Sequence, residues 1–126
     1  MKTVKAQRQK GASFEYDCRD SLLPSYPDVL LTKHLGFVSG YDLVSKQEKT
    51  VWECKKHKAF SWNELTDWLK KLEKNSPDGY SCFLLFQANR QPCLVMHRRI
   101  LSTISVESFD DFYATPFIKH TGKKNV

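Results

Sequence analysis

The chain has 126 residues, enough for one domain whose single core needs no disulfide or metal staple. Hydrophobic residues make up 40% of it and aromatic residues 13%, a globular balance that excludes wholesale disorder. Lys and Arg exceed Asp and Glu by 20 − 14 = 6, which favours a polyanionic partner such as nucleic acid, although a solvated basic surface has the same composition.

The segment Met1 to Lys10 is basic and has no apolar run behind it, unlike a signal peptide, and no apolar run is long enough to span a bilayer. The expectation is a cytoplasmic protein with no membrane partner. Cys18, Cys54, Cys82 and Cys93 are widely spaced and form no CxxC pair, so they are expected to be reduced, core-filling residues. Cys54 and His57 stand at zinc-ligand spacing, but no second pair lies at a matching distance, and no zinc site is expected.

Residues 1–10 carry four positive charges and no acidic residue, and read as a flexible arm ahead of a single domain over 11–118. Phe14, Cys18 and Leu22 recur at helical spacing from Gly11 to Leu22, with Glu15 at the edge of that stripe, and Leu23-Pro24 stops the helix. The β-prone run Val29 to Thr32 follows and leads into a Gly/Ser loop through Gly36, Ser39 and Gly40. Tyr41 to Ser45 and Thr50 to Lys55 then read as two strands joined by the polar turn Lys46-Gln47-Glu48-Lys49, a hairpin.

Ser61-Trp62-Asn63-Glu64 is a capping box, and Phe60 and Leu65 stand where a hydrophobic staple places them. Trp62, Leu65, Leu69 and Leu72 mark one face of the helix it opens, and Pro77-Asp78-Gly79 ends it. Strands are expected at Ser81 to Gln87 and Cys93 to His97. The continuous run Phe83 to Phe86 suits a strand buried on both faces. A short helix covers Phe109 to Tyr113, and 119–126 is a basic tail. The order α-β-β-β-α-β-β gives an α/β domain with a mixed sheet, in which the strand from Ser81 runs parallel to the one before the capped helix.

Within this order, Glu53 lies eleven residues after Asp42, and Lys55 two residues after Glu53. Strand alternation puts Glu53 and Lys55 on one face and Trp52 and Cys54 on the other. Two carboxylates and an ammonium on adjacent strands suit a hard divalent cation and an oriented water, the needs of phosphodiester hydrolysis. The bland alternative is a solvated surface pair of little energetic weight. Against it, Glu53 and Lys55 fall in the middle of the sheet order, where charges are uncommon outside a cleft.

This arrangement resembles the PD-(D/E)xK nuclease superfamily, with its restriction-endonuclease-like fold. The small size and Gly11-Ala12-Ser13-Phe14-Glu15 on the first helix are similar to the archaeal and phage Holliday-junction resolvases. The likeness covers roughly Lys10 to His97, and departs from the family in having Ser39-Gly40-Tyr41 before the aspartate in place of a proline. It implies that Asp42 and Glu53 are metal carboxylates, joined by the backbone carbonyl of Cys54 and by Glu15 as a metal or water-shell ligand. Lys55 is then the water-orienting, charge-offsetting residue. Either Thr32 or Ser39 is the loop hydroxyl of such resolvases, and the residues do not decide between them. The cofactor implied is Mg2+ or Mn2+.

The activity implied is structure-selective DNA cleavage at four-way junctions, in recombination and repair, by a homodimer with two sites for opposite strands. The alternatives are a related nuclease for flap, single-stranded or duplex DNA, and a non-catalytic DNA-binding module of the same fold. The intact set Glu15, Asp42, Glu53 and Lys55 argues against the last. Lys10, Lys33, His34, Lys56 and Lys58 are candidate DNA-backbone contacts, each also readable as a solvated surface residue. Arg98 and Arg99 flank the last expected strand. Trp62, Trp68, Phe83 and Phe86 follow helix and strand periods and read as core or dimer interface.

Overall fold

A computed structural model describes residues 4–35, 39–99 and 103–118, with side chains from residue 13 onward. Phe14, Cys18 and Leu22 are all fully buried, and this apolar stripe docks helix α1, Val4–Leu22. The helix begins at Val4, so most of the segment expected as a flexible arm forms its first turns. The side chain of Lys10, Gly36 and the tail 119–126 lie outside the described residues.

Three strands follow: β1 Leu30–Leu31, β2 Leu43–Ser45 and β3 Thr50–His57. The run expected as a strand over Val29 to Thr32 pairs only at its centre, because Thr32–Leu35 coils into a 3₁₀ turn. The β2–β3 hairpin is pinned from outside itself. Ser45 Oγ donates to Asp28 Oδ1 at 2.6 Å and the Gln47 amide to Asp28 Oδ2 at 3.0 Å, which hold the Asp28 carboxyl below its usual pKa.

Helix α2, Trp62–Asn75, starts at the expected capping box: the Ser61 side chain accepts from the Glu64 amide, and the Glu64 carboxylate accepts from the Ser61 amide. Its buried residues are Leu65, Leu69 and Leu72. Trp62, expected on the same stripe, is 56% exposed. Phe60, the staple residue before the cap, packs in the cluster of Leu65, Leu69, Leu84, Phe86 and Met96 and fills the place expected for Trp62.

Beyond α2 come β4 Ser81–Ala88, β5 Leu94–Arg98, β6 Ile104–Ser108 and helix α3 Phe109–Tyr113. The sixth strand was not expected from the sequence. The result is one six-stranded mixed sheet in the order β1-β2-β3-β4-β5-β6. All neighbours are antiparallel except β3 and β4, which run parallel from Thr50↔Ser81 to His57↔Ala88, as a crossover through α2 requires.

Alternation along β3 divides the core between the two faces of the sheet. Trp52 and Cys54 join Phe14, Cys18, Leu22 and Phe109 under α1 and α3. Val51 joins Leu72 of α2 on the other face, and Leu84 and Phe86, which pair with Glu53 and Lys55, meet Leu65 and Leu69. Three of the cysteines are buried, Cys82 is half-buried, and all four are free thiols. Among the described residues, no helix is long and apolar enough to cross a membrane.

Candidate active site

The β2–β3 ladder ends at Leu43↔Trp52, whereas β3 continues against β4 to His57. Among the described residues, the side of β3 facing away from β4 therefore has no strand partner from Glu53 onward, and the sheet has a notch there. Asp42 fills its near end. Its amide donates to Trp52 O at 2.9 Å, and its carboxylate Oδ2 accepts from the Cys54 amide at 2.8 Å, replacing a missing strand. An amide and carbonyl of one strand residue point to the same side, so the Cys54 carbonyl also faces the notch.

The loop before Asp42 explains its placement. Gly40 has φ +82, in the left-handed region, and a Cβ there would meet Asn75 of α2 at 2.9 Å. The loop bearing Asp42 thus packs against the end of α2 as closely as glycine allows. Gly40→Ala is expected to destabilise the fold by about 1–2 kcal/mol through strain and collision, as chemical denaturation measures. Thr32 Oγ1 and Ser39 Oγ both donate to the Tyr41 carbonyl, and the Thr32 amide donates to Asp42 O at 2.9 Å. Both hydroxyls are therefore engaged in fixing the backbone next to Asp42.

Glu15 arrives from α1 and interacts with Asp42, which interacts in turn with Glu53. Burial and the negative charge of Glu53 push the Asp42 carboxyl up to about 6. Glu15 is raised by burial and by Asp42, with Lys33 opposing. Glu53 is raised by burial, with Lys55 opposing. Two ammonium groups hold these acids: Lys55 Nζ lies 3.3 Å from Glu53 Oε2, and Lys33 Nζ 3.4 Å from Glu15 Oε1. All four site residues expected from the sequence are thus brought together, from α1, the β2 lead-in and β3.

Among the described residues, no group of three or more His, Cys, Asp or Glu side chains forms a ready metal site. The donor chemistry nevertheless fits a hard cation. The acceptors gathered at the notch are carboxylate and carbonyl oxygens, and the crowded negative charge that pushes up Asp42 and Glu15 is relieved by a cation among them. The thiols behind the notch suit no such role. Burial pushes Cys18 up to about 12 and raises Cys54 and Cys93 well above the ordinary thiol, so they remain protonated and inert.

The candidate DNA contacts divide. Lys33 lies beside Glu15 and His34 beside Tyr16: Lys33 Nζ is also 4.9 Å from the Tyr16 ring centroid, and the Tyr16 hydroxyl is 3.4 Å from His34 Nε2. Arg19, not singled out from the sequence, also stacks on Tyr16 at 5.0 Å. Lys56 points to the α1 face, where it donates to Gln87 Oε1 at 2.9 Å. Lys58 is exposed on the loop after β3. Arg98 is held by Glu73 through two bonds of 2.8 and 2.9 Å.

Trp68, expected in the core or a dimer interface, is half-buried against the Leu65 and Leu69 cluster, and its ring lies 4.9 Å from Lys55 Nζ, a contact not expected from the sequence. A signal for it existed: a crossover helix runs back over the strand it follows, so its early turns overlie that strand's later residues. Compared with known proteins, the chain matches no family model, no curated protein and no solved structure.

Proposed function

We propose that the protein is a metal-dependent DNA endonuclease of the restriction-endonuclease-like class, acting on four-way junctions as a two-fold homodimer. The observation that carries the reading is the convergence of Glu15, Asp42 and Glu53 in one notch with Lys55 beside them, each acid raised in pKa. Charges gathered on the middle strand of a sheet cost stability, and a hydrolytic site accounts for that cost.

Asp42, Glu53 and the Cys54 carbonyl are the groups that would hold Mg2+ or Mn2+, with Glu15 on the bound water shell. When bound, such a cation polarises the scissile phosphate and makes a nucleophile available near neutral pH. The chain's own residues do the rest. Asp42 is locked in place by the Cys54 amide, so its second oxygen is fixed toward the notch. Lys55 supplies positive charge where the phosphorane develops its negative charge. Lys33, His34 and Arg19, grouped on Tyr16 next to Glu15, offer backbone contacts that hold DNA over the notch without reading sequence.

The test is incubation of labelled four-way junction and matching linear duplex with Mg2+, then with EDTA. Symmetric nicks confined to the junction and lost with EDTA are expected. Equal cutting of both substrates would replace the junction reading with a general nuclease, and no cutting of either would remove the enzymatic reading.

A further inference from the structure

Resting on the nuclease reading, we propose that Trp68 is a positioning residue for Lys55: the face of its indole holds the lysine ammonium beside the acid cluster while the reaction runs. Lys55 Nζ has two anchors, Glu53 Oε2 at 3.3 Å and the Trp68 ring centroid at 4.9 Å. That second distance is within the range of a cation over an aromatic face, and tryptophan is the strongest such partner. The ring is packed by two others. His57 packs against it at 5.3 Å and Phe60 edge-on at 5.9 Å, with Phe60 seated on Phe86 at 5.3 Å.

The two anchors differ in what happens when a cation enters the notch. Glu53 is a proposed ligand, so its charge becomes shared with the cation and its hold on the ammonium weakens. A lysine stem released from its partner regains the rotamer freedom of four carbons, and the ammonium is no longer where charge develops. An aromatic face is no ligand for a hard oxygen-seeking cation. Its attraction for Lys55 therefore persists through turnover. The ring also covers Lys55, whose side chain is 27% exposed, and exclusion of water strengthens the remaining electrostatic contacts.

The experiment replaces the Trp68 ring with mono-, di- and trifluorinated tryptophan. This drains negative charge from the ring face and leaves its packing volume nearly intact, so folding is preserved without the cavity that Trp68→Leu opens. With saturating Mg2+, kcat on the four-way junction is expected to fall stepwise with fluorination, by about tenfold over the series, with KM unchanged. In a Lys55→Ala background the same series is expected to be flat.

A second readout does not depend on activity. The ε-methylene protons of Lys55, assigned by their loss in Lys55→Ala, are expected to be shifted upfield by the indole ring. They are expected to stay shifted on addition of Mg2+ and to return to ordinary values in Trp68→Leu. Flat fluorination in the wild-type background, or equal falls in both backgrounds, would overturn the role of Trp68 and leave the nuclease standing. Loss of the upfield shift when Mg2+ is added would overturn it as well. Wild-type protein that cuts no DNA with Mg2+ would overturn the nuclease reading and this role with it.

Discussion

Asp42→Asn is expected to abolish cleavage and, in the absence of metal, to make the fold more stable at neutral pH. The asparagine is isosteric, and its side-chain oxygen still accepts from the Cys54 amide that Asp42 binds at 2.8 Å. What it lacks is the negative charge. In the unfolded chain Asp42 titrates near 3.8, and in the folded protein at about 6. The folded state holds the proton more tightly, so the stability this gives is complete below about pH 4 and is lost as pH rises through 6. That difference corresponds to about 3 kcal/mol. Glu15 and Glu53 are shifted in the same direction and add to the same loss.

Asparagine does not titrate and escapes its part of that loss. Thermal unfolding in EDTA is therefore expected to show Asp42→Asn several degrees above wild type at pH 7, with the gap closing at pH 4. Mg2+ is expected to raise the melting temperature of the wild type at pH 7 by mass action, and to leave the variant nearly unmoved. Cleavage is expected to fall by about a thousandfold or more, since both a ligand and the pull on the developing charge are lost. A variant less stable than wild type at both pH values would show that Asp42 is a structural residue. Full cleavage by Asp42→Asn would remove the site assignment.

The expectations that held rest on signals internal to a short segment. The capping box at Ser61 and Glu64 and the polar turn between Ser45 and Thr50 are local chemistry, and they fix α2 and the hairpin in place. With α2 as a crossover, parallel β3 and β4 follow, and so does the central position of Glu53 and Lys55. The failures are of another kind. β6 is a half-exposed edge strand whose Ile104 and Val106 alternate with polar residues, so it carries no buried run, and its pairing with β5 is a tertiary event. Trp62 shares the helical period of Leu65, Leu69 and Leu72, but periodicity does not show that Phe60 already fills the space beneath the first turn. Position 32 has strand-like neighbours and its amide still donates to Asp42 O in the β1–β2 register, yet the Thr32 hydroxyl turns to the Tyr41 carbonyl and the chain coils away into a 3₁₀ turn. The convergence of Glu15 with Asp42 was visible only through resemblance, because no local rule places a residue of the first helix against a hairpin.

Lys55→Ala separates chemistry from cation binding and is expected to do so in opposite directions. The ammonium lies 3.3 Å from Glu53 and is the main influence lowering that carboxyl against its burial. Without it, Glu53 faces Asp42 with less compensating charge, so a divalent cation entering the notch no longer competes with a lysine. The Mg2+ concentration giving half-maximal rate is expected to stay the same or fall. The rate at saturating Mg2+ is expected to drop by about 10² to 10³, the usual effect of removing one group that stabilises developing charge. The Glu53–Lys55 pair is partly exposed and contributes at most about 1 kcal/mol, so the melting temperature should move by only a few degrees. Lys55→Arg tests the geometry in addition to the charge, because the planar guanidinium cannot occupy the same point between Glu53 and the Trp68 ring, and only partial recovery is expected. If Lys55→Ala left the saturated rate intact, Lys55 would be a counter-ion for the acids and nothing more. A large fall in stability with a proportional fall in rate would mark the lysine as a structural support.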